Sequence, residues 1–415
     1  REFLHRSAFL MGRTLQGYEI QKVLGAVDWF SGKSDKSIGI IGWGEGGMLA
    51  LQTAALDTRI DASLVSGHLG AMETLWKEPL ERNVFSLLKH FDDGVLARLI
   101  EPRTLIIEAA RGPEIVIDSY GSAPGRLTTP LLSDIRKIHP GKRLFLSNPS
   151  GNGNPGTSKA LDAFLQALAP GEQLAEGQKP PKPTGTLPDP VARHERAFLE
   201  IKNHTQKLLD NAHNIRESTF KPNLSSIDSY KQSIKPHRER FANEVIGSFQ
   251  DALLPSGPRS RQVYDKPGWT GHEVVLDVFP DLIAYGILLI PKGLKKGEKR
   301  AVVVCQHGLE GRPRDTIEGD HRAYHDFAAR LCERGYVVFA PQNPYLMGDR
   351  FRSLQRKANP LGKTLFSLIV PQHRQIVKWL GKLPFTDVDR IAFYGLSYGG
   401  KTAMRVPALV EGYCL

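Results

Sequence analysis

The 415-residue sequence predicts an α/β fold made of two units, each a mostly parallel sheet flanked by helices. Three observations predict it. Short strand-like apolar runs alternate with longer helical patterns, one stretch rich in proline and glycine interrupts the chain, and a segment near the start recurs near the end. The length allows two or three domains at roughly 150 residues each, and a hydrophobic content of 40% supports packed cores.

The first predicted unit, residues 1–170, shows the alternation most regularly. Strands alternating with helices of this length imply a parallel sheet that is covered on both faces. We expect helices at 14–30, 48–56, 84–99 and 159–168, and strands at 37–41, 62–65, 104–107 and 143–146.

A linker and a helical connector follow. Residues 171–190 contain QKPPKPTGTLPDP, which is typical of an extended linker. Residues 191–262 form the predicted connector, in which the apolar stripe over 195–216 is too short for an obligate coiled coil. We therefore expect a helix docked on a core.

The second predicted unit, residues 263–415, begins with strands at 274–279 and 284–291, which predict an antiparallel hairpin. The alternating pattern then returns. We expect strands at 301–306, 336–340 and 390–394, and helices at 323–334, 364–380 and from Gly400 onward.

An internal repeat relates the two units. Residues 362–379 match residues 12–29 at a constant offset of 350, so Trp379 falls on Trp29 and both are predicted core residues. After a three-residue gap, residues 394–400 fall on residues 41–47. Both segments predict a helix, a strand, a glycine-rich turn and another helix.

The turn of the second unit carries a candidate nucleophile. Residues 395–400 read G-x-S-x-G-G between a predicted strand and a predicted helix, which is the nucleophile elbow of the α/β-hydrolases. A sharp turn holds Ser397 in a strained conformation, and the flanking glycines remove side chains that would clash. The following helix directs its N-terminal N–H groups at the reacting centre.

The chain resembles the tandem dienelactone-hydrolase-like proteins of the α/β-hydrolase superfamily, with two partial α/β-hydrolase units joined by a helical connector. Residues 39–51, 302–313 and 390–401 carry the resemblance. It implies that the loop of His307 and Gly308 supports the oxyanion hole, with the N–H groups of Leu309 and Tyr398 as donors. A structural role of His307 is favoured over an acid–base role.

The resemblance also implies the reaction, in which Ser397 forms an acyl-enzyme with a carboxylic ester or lactone and no metal or organic cofactor is needed. The expected partner is a small-molecule ester or carbohydrate-ester substrate. Residues 342–350 would contact it through Asn343, Tyr345 and Asp349, although ordinary turn chemistry explains that segment equally well.

The other triad members are absent where the resemblance places them, since the eighteen residues after Ser397 contain neither Asp nor His, and Glu411 is a poor candidate. Upstream, His321, His325 and His373 lie where this fold does not place the base. Because the chain begins at Arg1 without Met and stops within an apolar run, we expect a fragment truncated at both ends with an incomplete triad.

The first unit has lost more of the pattern. Gly44 occupies the serine position, followed by Glu45. Glu108 and Glu114 could supply an acid, but the loop at 147–153 contains no histidine, so this unit is predicted to be a degenerate hydrolase. Residues 42–47 also match the dinucleotide fingerprint G-x-G-x-x-G, an alternative weakened because the next strand ends in Ser-Gly-His rather than an acid.

Other functional classes are constrained by composition. The net charge of +11 is scattered, and its densest run, 292–300, favours a solvated loop over an acidic partner. The three cysteines do not fit a disulfide framework or a metal site, and Cys305 is predicted to be buried in a strand.

We expect neither a nucleic-acid partner nor a membrane span, hence a soluble chain, while compartment and oligomeric state stay open. Two alternative functions are kept. One is a serine peptidase of the prolyl-oligopeptidase type, although no blade-like repeats precede the elbow, and the other is a non-catalytic binding or scaffolding pseudoenzyme.

Overall fold

The computed structural model describes residues 1–70, 72–118, 124–136, 138, 144–147, 152–174, 184–186 and 189–415, without the side chains of 144–147 and 347–351. The chain divides into two compact units, Arg1–Phe220 and Lys221–Leu415. The division falls inside the predicted connector, so the helices of that segment belong to different units.

The first unit is an α/β unit. Its α-helices are α1 (Glu2–Leu10), α2 (Leu15–Ser31), α3 (Glu45–Leu56), α4 (Leu87–His90), α5 (Asp93–Ile100), α6 (Leu132–Ile135), α7 (Ser158–Leu168) and α8 (Pro190–Thr219). Its strands are β1 (Ile38–Trp43), β2 (Ile60–Ser66), β3 (Thr104–Glu108), β4 (Ile115–Ile117), β5 (Gly125–Leu127) and β6 (Leu144–Ser147).

The main sheet of this unit is parallel and has the order β1-β2-β3-β6. Side chains alternate between its two faces. Leu64 and Ile106 pack against Phe164 of α7, whereas Val65 belongs to the opposite core with Leu51 of α3. The predicted parallel sheet with helices on both faces is confirmed for this unit.

The second unit is also mixed. Its α-helices are α9 (Ile227–Arg240), α10 (Phe327–Glu333), α11 (Met347–Ala358), α12 (Phe366–Leu380) and α13 (Tyr398–Arg405). Its strands are β7 (Arg259–Asp265), β8 (Trp269–Phe279), β9 (Leu282–Pro291), β10 (Arg300–Gln306), β11 (Val337–Pro341) and β12 (Thr386–Gly395).

Its sheet has the order β12-β10-β11-β9-β8-β7, parallel from β12 to β11 and antiparallel beyond. The predicted hairpin is the β8–β9 pair and is confirmed. Val304 packs toward Ile369 of α12, and Val303 toward Ala328 of α10 on the other face. Cys305 is fully buried in β10, as predicted.

Two predicted elements differ in the structure. The helix expected at 84–99 is broken into α4 and α5, because Asp92 adopts an extended conformation and its side chain accepts a hydrogen bond from Val95 N at the start of α5. The loop expected at 342–350 ends early, since α11 begins at Met347.

The prediction that Trp29 lies in a core is wrong. Trp379 is only 7% exposed and its ring centroid is 5.8 Å from that of Phe339, whereas Trp29 is 60% exposed. The reason is the sheet order. Helix α12 lies over strands beyond β12, but β1 is the outermost described strand of its sheet, and its Ile41 and Trp43 are exposed.

We expect Trp379→Ala to lower the free energy of unfolding of the second unit by about 3–5 kcal/mol, because it leaves a cavity in a packed core. Trp29→Ala is the matched control and should change the stability of the first unit by less than about 0.5 kcal/mol. Urea denaturation of both variants measures this, and similar losses would contradict the burial of these side chains.

Candidate active site

Ser397 lies on a sharp turn between β12 and α13. Its backbone has φ +56° and ψ −114°, a conformation that non-glycine residues adopt only at a cost of about 1–3 kcal/mol. The residue is exposed, and its hydroxyl has no hydrogen-bond partner among the described residues. The turn therefore presents a strained, accessible serine.

The neighbouring glycines make this turn possible. A side chain at Gly395 would overlap the carbonyl oxygen of Gly399, and one at Gly399 would overlap the carbonyl oxygen of Gln306. The backbones of β12, α13 and β10 can approach this closely only without those side chains. The end of β10 is consequently held directly against the start of α13.

His307 follows β10 and is completely buried. Because the carbonyl oxygen of Gly308 can only accept, His307 Nδ1–H donates to it at 2.7 Å, and Nε2 then accepts from Asn343 N at 3.4 Å. Burial lowers the pKa of His307 to about 4. Both ring nitrogens of this neutral histidine make hydrogen bonds with backbone groups, which agrees with a structural role.

Gly308 passes beside the serine, since a Cβ added to it would lie 3.5 Å from Ser397 Cβ. Its N–H donates to the hydroxyl of Tyr324 at 2.8 Å. The N–H of Leu309 has no hydrogen-bond partner among the described residues. Tyr398 is the first residue of α13, so its N–H lies at the helix N-terminus.

Tyr324 is a contact that the sequence did not reveal. It precedes α10, is 8% exposed and stacks on His321, so that its hydroxyl braces the loop of Gly308. The segment was predicted to be helical from 323, and an isolated tyrosine there has no local pattern that would indicate such a role.

The proposed substrate contacts Asn343 and Tyr345 are both buried, at 3% and 5% exposure. Asn343 Nδ2 donates to the Tyr345 hydroxyl at 3.4 Å, and the Tyr345 ring lies 6.2 Å from that of Tyr398. The two side chains thus lie close to the turn, with Asn343 next to His307 and Tyr345 next to Tyr398. The side chain of Asp349 lies outside the described residues.

No described histidine makes a hydrogen bond with Ser397. His373 is buried and pairs with the Tyr413 hydroxyl at 2.8 Å, and burial lowers its pKa to about 3. His325 faces Asp320 at 3.0 Å on the surface. Glu411 is exposed on the segment that follows α13.

The first unit contains a turn of the same backbone shape, with glycine in place of the serine. Gly44, between β1 and α3, has φ +58° and ψ −115°, matching Ser397 within two degrees. A Cβ at Gly44 would lie 2.6 Å from Cδ of Pro113, so the place of a nucleophile is occupied. Glu45 forms an ion pair with Arg1. Pro113 was not foreseen, because its approach depends on the fold.

Glu108 is fully buried at the end of β3. It accepts hydrogen bonds from Ser66 Oγ, Gly156 N, Thr157 N and Thr157 Oγ1 at 2.5–2.8 Å. Burial alone would raise the pKa of Glu108, but these donors bring it below its usual value. Its carboxylate therefore ties β3 to β2 and α7, while Glu114 is exposed.

The predicted base-bearing loop at 147–153 lies partly outside the described residues. Within the described residues, no group of three or more His, Cys, Asp or Glu side chains is arranged to hold a metal ion. None of the described helices combines the length and apolar character that a membrane span requires.

Comparisons with known proteins find hydrolases and esterases at low similarity. No protein-family model matches the chain. It is 34% identical over 113 residues to "Putative hydrolase YtaP" of Bacillus subtilis (strain 168), a match that covers 24% of this chain and 36% of that protein. The chain thus spans about a third of the length of this curated relative.

Among solved structures, a "putative acetyl xylan esterase" of Bacteroides fragilis NCTC 9343 is 15% identical with a TM-score of 0.39, over 47% of this chain and 56% of that one. A glucuronoyl esterase from Solibacter usitatus is 12% identical with a TM-score of 0.33, over 46% and 58%.

We expect Gly44→Ser to create no reactive serine and to destabilise the first unit by about 1–3 kcal/mol, because the new side chain collides with Pro113. Thermal unfolding and labelling with a fluorophosphonate probe measure both effects. Pro113→Ala in the same background should recover part of the stability. A stable, labelled Gly44→Ser variant would contradict the geometry.

Acid should destabilise the second unit through His307. Its folded pKa of about 4 lies below the ordinary value of 6.5, so the unfolded state binds the proton first and stability is lost as the pH falls through this window. Between pH 7 and pH 5 the loss from this group approaches ~2 kcal/mol.

Urea unfolding at pH 7 and pH 5 tests this expectation. His307→Gln should reduce the difference between the two pH values. An undiminished difference in His307→Gln would show that this imidazole does not titrate as described.

Proposed function

We propose that the second unit is a serine hydrolase for carboxylic esters or lactones, with Ser397 as the nucleophile. The observation that carries the proposal is the exposed serine at φ +56°, in a turn whose glycines let the loop of Gly308 lie beside it. This is the strand–turn–helix context that a nucleophile elbow requires.

In the proposed reaction, Ser397 Oγ attacks the carbonyl carbon of the substrate and its proton passes to a base. The N–H groups of Leu309 and Tyr398 stabilise the negative charge on the carbonyl oxygen. The C–O bond to the leaving alcohol then breaks as that oxygen is protonated, leaving an acyl-serine. Water adds to the acyl carbon and releases the acid and the serine.

The roles of base and acid are not assigned to any described residue. His307 is unsuitable in this arrangement, because both of its nitrogens hold backbone groups. Asn343 and Tyr345, buried behind Tyr398, are proposed to shape the floor of the substrate site. The substrate is proposed to be a small-molecule or carbohydrate ester.

The first unit is proposed to be a degenerate copy. It keeps the torsion angles of the turn, but Gly44 has no nucleophilic atom and Pro113 fills the space above it. Glu108 is engaged by four donors and holds secondary structure together. Replacing Gly44 with serine is therefore not expected to restore a nucleophile, because Pro113 occupies the space that the serine side chain needs.

The 415-residue chain can be tested with a fluorophosphonate probe and peptide mapping by mass spectrometry. An oxyanion hole retains roughly 10³–10⁴-fold acceleration over water when triad members are missing, so we expect slow labelling at Ser397. Ser397→Ala should abolish it without lowering the melting temperature. Ser260→Ala, on exposed strand β7, is the control and should label normally.

Two outcomes would contradict the proposal. Labelling of wild type and Ser397→Ala at equal rates would place the reactive group elsewhere. No labelling of folded wild type after prolonged incubation would show that the turn does not activate its serine.

A further inference from the structure

A cavity of about 240 Å³ lies next to Gly44, at the turn of the first unit. Polar side chains from several elements line it, including Gln16 of α2, Asp93 of α5, and His68 and Thr129 of loops. The proposed hydrolase reaction does not use this cavity, since it belongs to the unit without a nucleophile.

The contacts of His68 determine its tautomer. Arg82 Nη2 lies 3.2 Å from His68 Nδ1, and because arginine can only donate, Nδ1 accepts and the proton of the ring resides on Nε2. Burial, reinforced by Arg82, lowers the pKa of His68 well below its ordinary value, so the ring is neutral. Its Nε2–H is a buried donor without a hydrogen-bond partner among the described residues.

Asp93 supplies the complementary group. It is 3% exposed, and its Oδ2 also has no hydrogen-bond partner among the described residues. This oxygen lies 3.8 Å from His68 Nε2, too far for a direct hydrogen bond. A hydroxyl placed against both groups could accept from the imidazole and donate to the carboxylate.

Two further buried oxygens are in the same situation. Gln16 is 5% exposed, and its Nε2 donates a hydrogen bond to Gln52 Oε1. Gln16 Oε1 and Thr129 Oγ1 each have no hydrogen-bond partner among the described residues. An unsatisfied buried polar atom costs about 1–3 kcal/mol, so four around one cavity indicate a polar occupant.

The charges of the lining argue against an anionic occupant. Arg82 is 7% exposed and lies 3.2 Å from Glu78, which neutralises it, and His68 is uncharged. A bound anion would therefore meet no free cation among the described residues of the cavity. Apolar side chains complete the lining, including Met48, Leu75 and Leu127. These suit the C–H face of a ring.

We propose that this cavity binds a neutral, polyhydroxylated molecule of monosaccharide size, with one hydroxyl held between His68 Nε2 and Asp93 Oδ2. A cavity of about 150 Å³ is large enough to bind benzene, so one of about 240 Å³ has room for a small sugar ring. Gln16 and Thr129 accept from or donate to further hydroxyls. The first unit is then a sugar-binding module.

Saturation-transfer NMR on the full chain, with D-glucose and D-xylose as probes and acetate as the anionic comparison, tests the assignment. We expect saturation of at least one sugar and none of acetate. Thr129→Val is nearly isosteric and removes one hydrogen bond, so it should weaken binding about three- to tenfold. Asp93→Leu should abolish binding, while Ser397→Ala should leave it intact.

Melting curves show whether each variant is folded, and Thr129→Val provides the test if Asp93→Leu is not. Absence of saturation transfer to both sugars would overturn the proposal, and a higher melting temperature of Thr129→Val would then show that the polar atoms serve only water. Unchanged sugar binding in both variants, or saturation of acetate instead, would overturn it as well. Fluorophosphonate labelling of Ser397 is independent of all these results.

Discussion

The close approach of three backbone segments at Ser397 is the constraint on which the second unit's site depends. Side chains at Gly395 or Gly399 would overlap carbonyl oxygens of Gly399 and Gln306. Their absence permits the turn, the turn imposes φ +56° on the serine, and the same contact brings the loop of Gly308 beside it. The position of Ser397, its backbone strain and the nearness of the candidate oxyanion donors thus all result from the close approach of these three segments.

The first unit shows that this turn is a property of the backbone and not of the serine. Gly44 adopts the same torsion angles without a side chain, because the spacing of small residues is preserved around it. Glycine relieves the strain that a serine would carry there. Pro113 occupies the place that a side chain at Gly44 would take, and a polar cavity lies next to the turn.

Sequence patterns predicted local features with good success. Alternating patterns predicted the strands of both main sheets except β7, together with the β8–β9 hairpin and the buried Cys305, because these depend on neighbours along the chain. The elbow motif placed Ser397 between a strand and a helix. The broken helix at 84–99 was missed, since Asp92 as an N-cap outweighs the apolar periodicity on either side.

The sequence by itself determined that two related helix–strand–turn–helix segments exist, and that only one carries a serine at the turn. Tertiary structure alone decided which repeat positions are buried, as Trp29 and Trp379 show, because burial depends on strands remote in sequence. It also decided that His307 is engaged through both nitrogens, that Tyr324 braces the loop, and that His68 and Asp93 face one cavity. Such distances arise from packing between elements, for which local residue patterns contain no signal.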